Sequence, residues 1–251
     1  MNTFEARQYL VKAEVLWDRV ESRDVYPFHL PLLKTFRDIT FHPKVTFLVG
    51  ENGSGKSTLI EALALAWGFN PEGGTKNFNF KTASAPSDLH KVMRLTKSPR
   101  RALDGFFLRA ESYFNVASHL DQIDAEPSSS PLVKNSYGGK SLHEQSHGES
   151  FFALLEHRLG GKGLYIFDEP EAALSPSRQL SMLVRMHDLI ADASQFIIAT
   201  HSPILMAYPD AWIYQIGSNG LERVDYEDTE HYQITKSFLN RREIMLEQLL
   251  R

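Results

Sequence analysis

The residues best suited to chemistry begin with Val45-Thr46-Phe47-Leu48-Val49-Gly50-Glu51-Asn52-Gly53-Ser54-Gly55-Lys56-Ser57-Thr58, an apolar run that breaks into glycines and ends in Lys-Ser. Gly50, Gly55, Lys56 and Ser57 occupy the fixed places of the pattern G-x-x-x-x-G-K-[ST]. The spacing has a physical cause. A strand delivers the chain into a loop whose backbone N–H groups can surround a phosphate only where glycines permit positive φ. Gly50, Glu51, Asn52, Gly53, Ser54, Gly55, Lys56, Ser57 and Thr58 are therefore the expected cradle. Lys56 would reach the β and γ phosphates, and Ser57 would offer its hydroxyl to Mg²⁺. The helix-forming run Leu59 to Ala66 then sets a helix N-terminus beneath the phosphates.

Leu164-Tyr165-Ile166-Phe167-Asp168-Glu169 is an apolar strand ending in two adjacent carboxylates. Burying such a run up to a charged pair makes sense where something cationic or reactive meets it. Asp168 is the expected Mg²⁺ partner. Glu169 is placed to polarise a water in line with the γ phosphate, the general-base task of a hydrolase. Phe196 to Thr200 repeats the device and ends at His201, whose imidazole could donate to the γ phosphate. Ser146-His147-Gly148-Glu149 precedes a helix containing Phe151, Phe152, Leu154 and Leu155. Ser146 with Glu149 reads as a capping box, and alternatively this helix N-terminus grips the γ phosphate of a nucleotide held by another subunit.

These groups need strands to carry them and helices to cover the strands. Tyr9 to Trp17 alternates with period two, which predicts a strand with one buried face, broken beyond by Pro27 and Pro31. A second strand is expected through Ile39-Thr40-Phe41 and Val45 to Val49, interrupted by a turn at Pro43, with the helix from Ser57 stopping near Gly68. Residues 70–101 read as an insertion punctuated by Pro71, Gly73, Gly74, Pro86 and Pro99. Its Lys91, Arg94, Lys97, Arg100 and Arg101 form either a solvated basic face or a phosphate-backbone contact. Leu103 to Ala110 is expected as a strand ending at Glu111, Phe114 to Ile123 as a short helix, and Ala125 to Ser146 as a loop.

Thereafter helix, strand, helix and strand alternate over 150–159, 164–167, 177–191 and 195–200, which points to a parallel sheet with helices on its faces. A hairpin should close around Asn219-Gly220. Ile234, Phe238 and Met245 then recur at helical spacing, in a tail expected to pack on the core, with a partner surface as the alternative.

With 251 residues the chain suffices for one α/β domain, and 42% hydrophobic against 23% charged residues excludes global disorder. The absence of cysteine excludes disulfides, zinc-thiolate sites and thiol catalysis, and suits a cytoplasmic protein. No run is long enough to span a bilayer, and charges interrupt the N-terminus where a signal peptide would be apolar, so a soluble protein is expected. A net charge of -4 supplies no long-range attraction for nucleic acid.

Taken in order, Gly50 to Ser57, Ser146 to Glu149, Leu164 to Glu169 and His201 resemble the ATP-binding-cassette ATPase superfamily. More narrowly, the chain resembles stand-alone soluble ABC-type ATPases of bacteria with a nucleotide-binding head like that of SMC-type proteins. The resemblance spans about Thr40 to Pro203. It implies a single ABC-type P-loop NTPase domain over 1–251, with a largely parallel central sheet, an antiparallel β portion near the N-terminus, an inserted lid or loop region near 70–101, and a signature-bearing helical region near 111–160. It further implies ATP and Mg²⁺ as ligands and a head-to-tail homodimer in which Ser146, Gly148 and Glu149 of one subunit complete the site of the other.

Glu111 would stand where the family usually has a glutamine that senses Mg²⁺ and the attacking water. Two departures accompany the likeness: Gln145 replaces the usual leucine of the signature and His147 its first glycine, and the Glu111 to Ser146 segment is too short for a coiled coil or a large helical subdomain. An aromatic that stacks on adenine would be Tyr26 or Phe28. The resulting expectation is an ATPase that acts on a partner, with nucleic acid in repair or defence as one choice. The alternatives are a slow-turnover binding switch, a small-molecule kinase and a transporter subunit.

Overall fold

A computed structural model describes residues 8–75, 86–111, 147–217 and 219–251, with the single positions 124, 135 and 139. Among the described residues the strands are β1 (Leu10–Val15), β2 (Asp38–Thr40), β3 (Val45–Gly50), β4 (Met93–Lys97), β5 (Asp104–Arg109), β6 (Gly163–Asp168), β7 (Gln195–Ala199), β8 (Trp212–Gly217) and β9 (Gly220–Val224). The helices are α1 (Pro31–Thr35), α2 (Lys56–Trp67), α3 (His147–Ala153), α4 (Pro176–Ala191), α5 (Pro203–Met206), α6 (Glu230–Asn240) and α7 (Arg242–Leu249). A π-helical turn, Leu154–Arg158, continues α3.

Every residue of β3, β6 and β7 is buried, as expected of parallel strands covered on both faces. They lie in a six-stranded sheet of order β5-β6-β7-β3-β8-β9, parallel except for the β8–β9 hairpin. Alternate side chains feed two cores. Tyr165, Phe167, Phe196 and Ile198 join Phe151 and the α4 residues Met182 and Met186 on one face. Leu164, Ile166, Ile197 and Ala199 join Leu59, Ile60 and Leu63 of α2 on the other. By the same alternation Asp168 falls on the α2 face, the face that carries Lys56 and Ser57.

Register then sets the functional edge. Leu48 of β3 and Asp168 of β6 are both level with Ala199 of β7, so the three chains leave the sheet together and side by side. A crevice at the carboxyl ends of parallel strands is where open α/β sheets bind ligands.

The antiparallel portion is a three-stranded sheet of order β2-β1-β4. It corrects two expectations. The run through Ile39 and Val45 is two strands in two different sheets, because Pro43 lets the chain leave one and enter the other. Met93 to Lys97, read as part of a weakly periodic insertion, is a strand paired with β1. The expected helix Phe114 to Ile123, most of the Ala125 to Ser146 loop, and residues 76–85 lie outside the described residues. The tail also differs from expectation. It breaks at Arg241 into α6 and α7, which bury no residue fully: of the expected stripe Ile234 is more than half exposed while Phe238 and Met245 are partly buried, and Leu239, Ile244 and Leu249 are also more than half exposed.

Among the described residues Gln195 makes the most hydrogen bonds between the two sheets, beside Tyr214, whose hydroxyl donates to the Thr40 carbonyl at 2.8 Å. Gln195, fully buried at the start of β7, accepts from the N–H groups of Tyr9 and Leu10 at 2.9 Å each. Its amide donates to the carbonyls of Leu10 at 2.8 Å and His42 at 3.0 Å. Replacement by leucine strands four backbone groups at an apolar boundary, at about 1 kcal/mol or more each. Gln195→Leu is therefore expected to lose about 3–5 kcal/mol in urea unfolding; a loss under about 1 kcal/mol would show that the sheets are held otherwise.

Candidate active site

The phosphate loop leaves β3 through Gly50, whose φ of 154° and close approach to β8 exclude a side chain: a Cβ there would meet the Ile216 carbonyl at 2.8 Å. Gly55 turns the chain into α2 with φ of 100°. Lys56, 3% exposed, folds back to donate to the carbonyls of Gly50 at 2.9 Å and Glu51 at 3.0 Å. Burial lowers its pKa, opposed by the charges of Glu169, Asp168 and Glu171. Tyr26 stands exposed beside the loop with its hydroxyl 3.3 Å from Thr58 Oγ1, whereas Phe28 is buried edge-on against Trp17 and presents no face to a ligand.

Ser57 Oγ donates to Asp168 Oδ1 at 3.2 Å, joining the loop to the tip of β6. Asp168 is buried, and desolvation pushes its pKa up to about 7 in spite of Arg109, whose Nε lies 3.8 Å from Oδ2. The donor set fits Mg²⁺. It is made of oxygen only, with a hydroxyl and a carboxylate already in contact, and the carboxyl is desolvated, so a cation there would favour its ionised form.

Glu169 follows in the left-handed region, φ 51° and ψ 53°, a strained conformation for a residue with a Cβ, which bends the chain into the turn Pro170–Ala173. Its Oε1 lies 3.3 Å from His201 Nε2, within reach but poorly aligned for a hydrogen bond. A cavity of about 310 Å³ is lined by Ser57, Ala110, Glu111, Asp168, Glu169, Ala172 and Ala173. Glu111 thus reaches the rim, but its side chain is 88% exposed and its near contact is Arg109 Nη2 at 3.8 Å.

Lys56, Ser57, Asp168, Glu169 and His201 are therefore brought together, with Glu111 at the edge. Ser146 lies outside the described residues. Gly148 and Glu149 sit in α3, where Gly148 packs against the Ala173 carbonyl and its own carbonyl accepts from Arg178 of α4. Glu149 is exposed.

Three residues escaped sequence reasoning. Arg109 is level with Asp168 in the β5–β6 register and also pairs with Glu61 at 2.7 Å; a cation closing a strand beside an acid-tipped strand was the available signal. Glu171, buried with a pKa raised by burial, accepts the His201 backbone N–H at 2.5 Å and so fixes where the histidine begins. His231, from α6, meets His201 ring to ring, and nothing in its local sequence marks it.

Two family models match the chain: one described as an AAA domain over residues 31–103, and one described as "AAA domain, putative AbiEii toxin, Type IV TA system" over 99–207. Among solved structures, a nucleotide-free ATP-binding cassette from an ABC transporter is similar with TM-score 0.51 and 16% identity, covering 95% of this chain and 99% of that one. CbiO1 from Clostridium perfringens, part of the ABC transporter complex cbiONQ, gives TM-score 0.52 and 18% identity, covering 94% and 97%. No curated protein matches. The chain shares its fold with these ATP-binding cassettes, and the two AAA-domain models, each over less than half of the chain, take in the phosphate loop and the acid-tipped strand.

The Asp168 environment predicts a pH dependence. Its carboxyl stays protonated up to about pH 7 in the folded chain but only to about pH 4 when unfolded. Between those values the folded state holds the extra proton, so stability falls as pH rises and the penalty is complete above pH 7. In the absence of Mg²⁺ and nucleotide, Asp168→Asn should be more stable than wild type by about 1–3 kcal/mol at pH 8 and indistinguishable near pH 4. Thermal melts across that range check it; a variant less stable at pH 8 contradicts it.

Proposed function

We propose that this chain binds ATP with Mg²⁺, hydrolyses it, and closes as a head-to-tail homodimer that acts on a partner. The observation that carries the reading is the shared edge at which Lys56 and Ser57, Asp168 and Glu169, and His201 leave neighbouring strands. Lys56 would exchange the Gly50 and Glu51 carbonyls for β and γ phosphate oxygens. Ser57 and Asp168 would hold Mg²⁺, which supplies positive charge to the phosphate oxygens.

Glu169 takes a proton from a water as its oxygen bonds to the γ phosphorus and the bond to the β–γ bridging oxygen breaks. His201 donates from Nε2 to the γ phosphate as charge develops there. Glu111 at the cavity rim would sense the ion, and Tyr26 beside Thr58 offers a face to adenine. Gly148 and Glu149 at the start of α3, with Ser146 before it, would complete the partner's site.

Among the described residues no helix is long and apolar enough to cross a membrane. The basic cluster gives nucleic acid little support. Lys91 pairs with Asp88 at 2.6 Å and Arg94 with Glu14 at 2.9 Å, while Lys97 and Arg100 lie over the rings of Trp67 and Tyr9.

In steady-state phosphate release, Glu169→Gln is expected to fall by about 100-fold or more while retaining ATP, and Lys56→Ala to lose nucleotide affinity. Size-exclusion of Glu169→Gln with ATP and Mg²⁺ should show a dimer; a monomer alone would refute completion of the site by a second subunit.

A further inference from the structure

The first turn of α6 meets His201 through His231, and the way this helix is pinned is specific. Thr229, fully buried, donates from Oγ1 to the Tyr226 carbonyl at 2.8 Å, and the Glu230 N–H donates to Gln215 Oε1 at 3.3 Å. The Tyr226 hydroxyl donates to the Pro203 carbonyl at 3.0 Å, and its ring packs on Tyr232 with centroids 4.6 Å apart. The tail is therefore fastened to the segment that begins with His201, although the rest of α6 and α7 buries no residue fully. The side chain delivered by this arrangement is His231. Its Nε2 lies 2.9 Å from His201 Nδ1, with ring centroids 5.0 Å apart.

Glu169 Oε1, an acceptor only, lies 3.3 Å from His201 Nε2 but off line for a hydrogen bond, so it does not fix the ring by itself; donation to a γ phosphate requires the proton on Nε2. In a neutral ring His201 Nδ1 is then an acceptor, and His231 Nε2–H must be the donor to it. His231 Nδ1 is then a lone pair, and like His201 Nε2 it is buried with no hydrogen-bond partner. Burial, then the Lys56 charge, lowers the pKa of both rings; for His231, Glu230 and Glu51 act in the opposite sense. For His201 it is Glu169 that opposes the shift, and the net direction in both rings favours the neutral form that this chain of donors requires.

We propose that His231 is a positioning residue that holds His201 as the Nε2–H tautomer, by donating to its Nδ1, so that the proton points toward Glu169 and the γ phosphate. Without a donor at Nδ1, the imidazole is free to move its proton there and turn a lone pair toward the phosphate, which repels it. The inference rests on the reading of His201 as the group that meets the γ phosphate, and it adds α6 to the catalytic edge. His231 touches no reacting atom.

The test compares His231→Phe, which keeps a ring but removes the donor, with His231→Gln, whose amide can still donate. Thermal melts confirm folding, and His231→Leu serves if the phenylalanine variant does not fold. Ring ¹⁵N spectra of His201, recorded without nucleotide, are expected to show a single Nε2–H tautomer in wild type and in His231→Gln and a mixture in His231→Phe. In phosphate release His231→Phe should lower kcat by about tenfold, less than the loss of a direct oxyanion donor, with nucleotide Kd within about twofold and recovery in His231→Gln. A pure Nε2–H tautomer in His231→Phe overturns the proposal, as do glutamine and phenylalanine variants that behave alike in both measurements. Should the wild type release no phosphate, the proposed hydrolysis fails while the spectra still decide the role of His231.

Discussion

The structure depends on two ionisable groups of opposite type, Lys56 and Asp168, that are removed from water at one edge of the sheet. Asp168 is buried at the tip of β6 and holds its proton to about pH 7, and Lys56 is buried in the loop with its own affinity for protons lowered by burial. Neither is satisfied by the other: Lys56 is bonded to two loop carbonyls, and Asp168 to the Ser57 hydroxyl with Arg109 at 3.8 Å. Isolated buried charges are costly, and the cost is offset when complementary charge enters the same low-dielectric space. The triphosphate and divalent cation proposed for this site would supply both missing signs at once: the triphosphate oxygens would answer the lysine and the cation the aspartate. Binding energy in such a site arises largely from relieving a penalty already present in the fold.

That penalty is tolerated because the surroundings over-determine each position. Three wholly buried strands fix the edge, their register sets Leu48, Ala199 and Asp168 level, and alternation turns Asp168 to the α2 face. Glu169 is held left-handed by the turn that follows, and His201 starts from a backbone N–H fixed by buried Glu171. Behind the edge, Gln195 ties the antiparallel sheet to β7, so the strand that ends before His201 is anchored at its other end to the N-terminal layer. Strain at the catalytic end and polar anchoring at the opposite end belong to one strand system.

What was legible in the sequence was whatever is dictated locally. The loop reads because glycines and the lysine must stand at fixed spacing, and β3, β6 and β7 read because strands buried on both faces leave unbroken apolar runs. The limits of α2 read from the glycines at Gly55 and Gly68, both left-handed. What was not legible depends on pairings across long stretches of chain. Arg109 matters through its register with Asp168, His231 through a helix that returns to His201, and Gln195 through partners 185 and 186 positions away. The β4 strand was hidden because its outer face is polar and exposed, and its inner residues are few. In the tail the helical period was correct, yet period alone does not say whether an apolar stripe is covered. Here Phe238 and Met245 are partly covered, whereas Ile234 is not.

The central claim is that these groups converge on one magnesium-bound triphosphate. It is tested most directly by a crystal structure of Glu169→Gln grown with ATP and Mn²⁺, in which the anomalous signal locates the ion. The account predicts the ion between Ser57 Oγ and the Asp168 carboxyl, Lys56 Nζ on the β and γ phosphates, and His201 Nε2 against the γ phosphate. An ion bound away from Asp168, or a nucleotide seated outside the Gly50 to Thr58 loop, would contradict it.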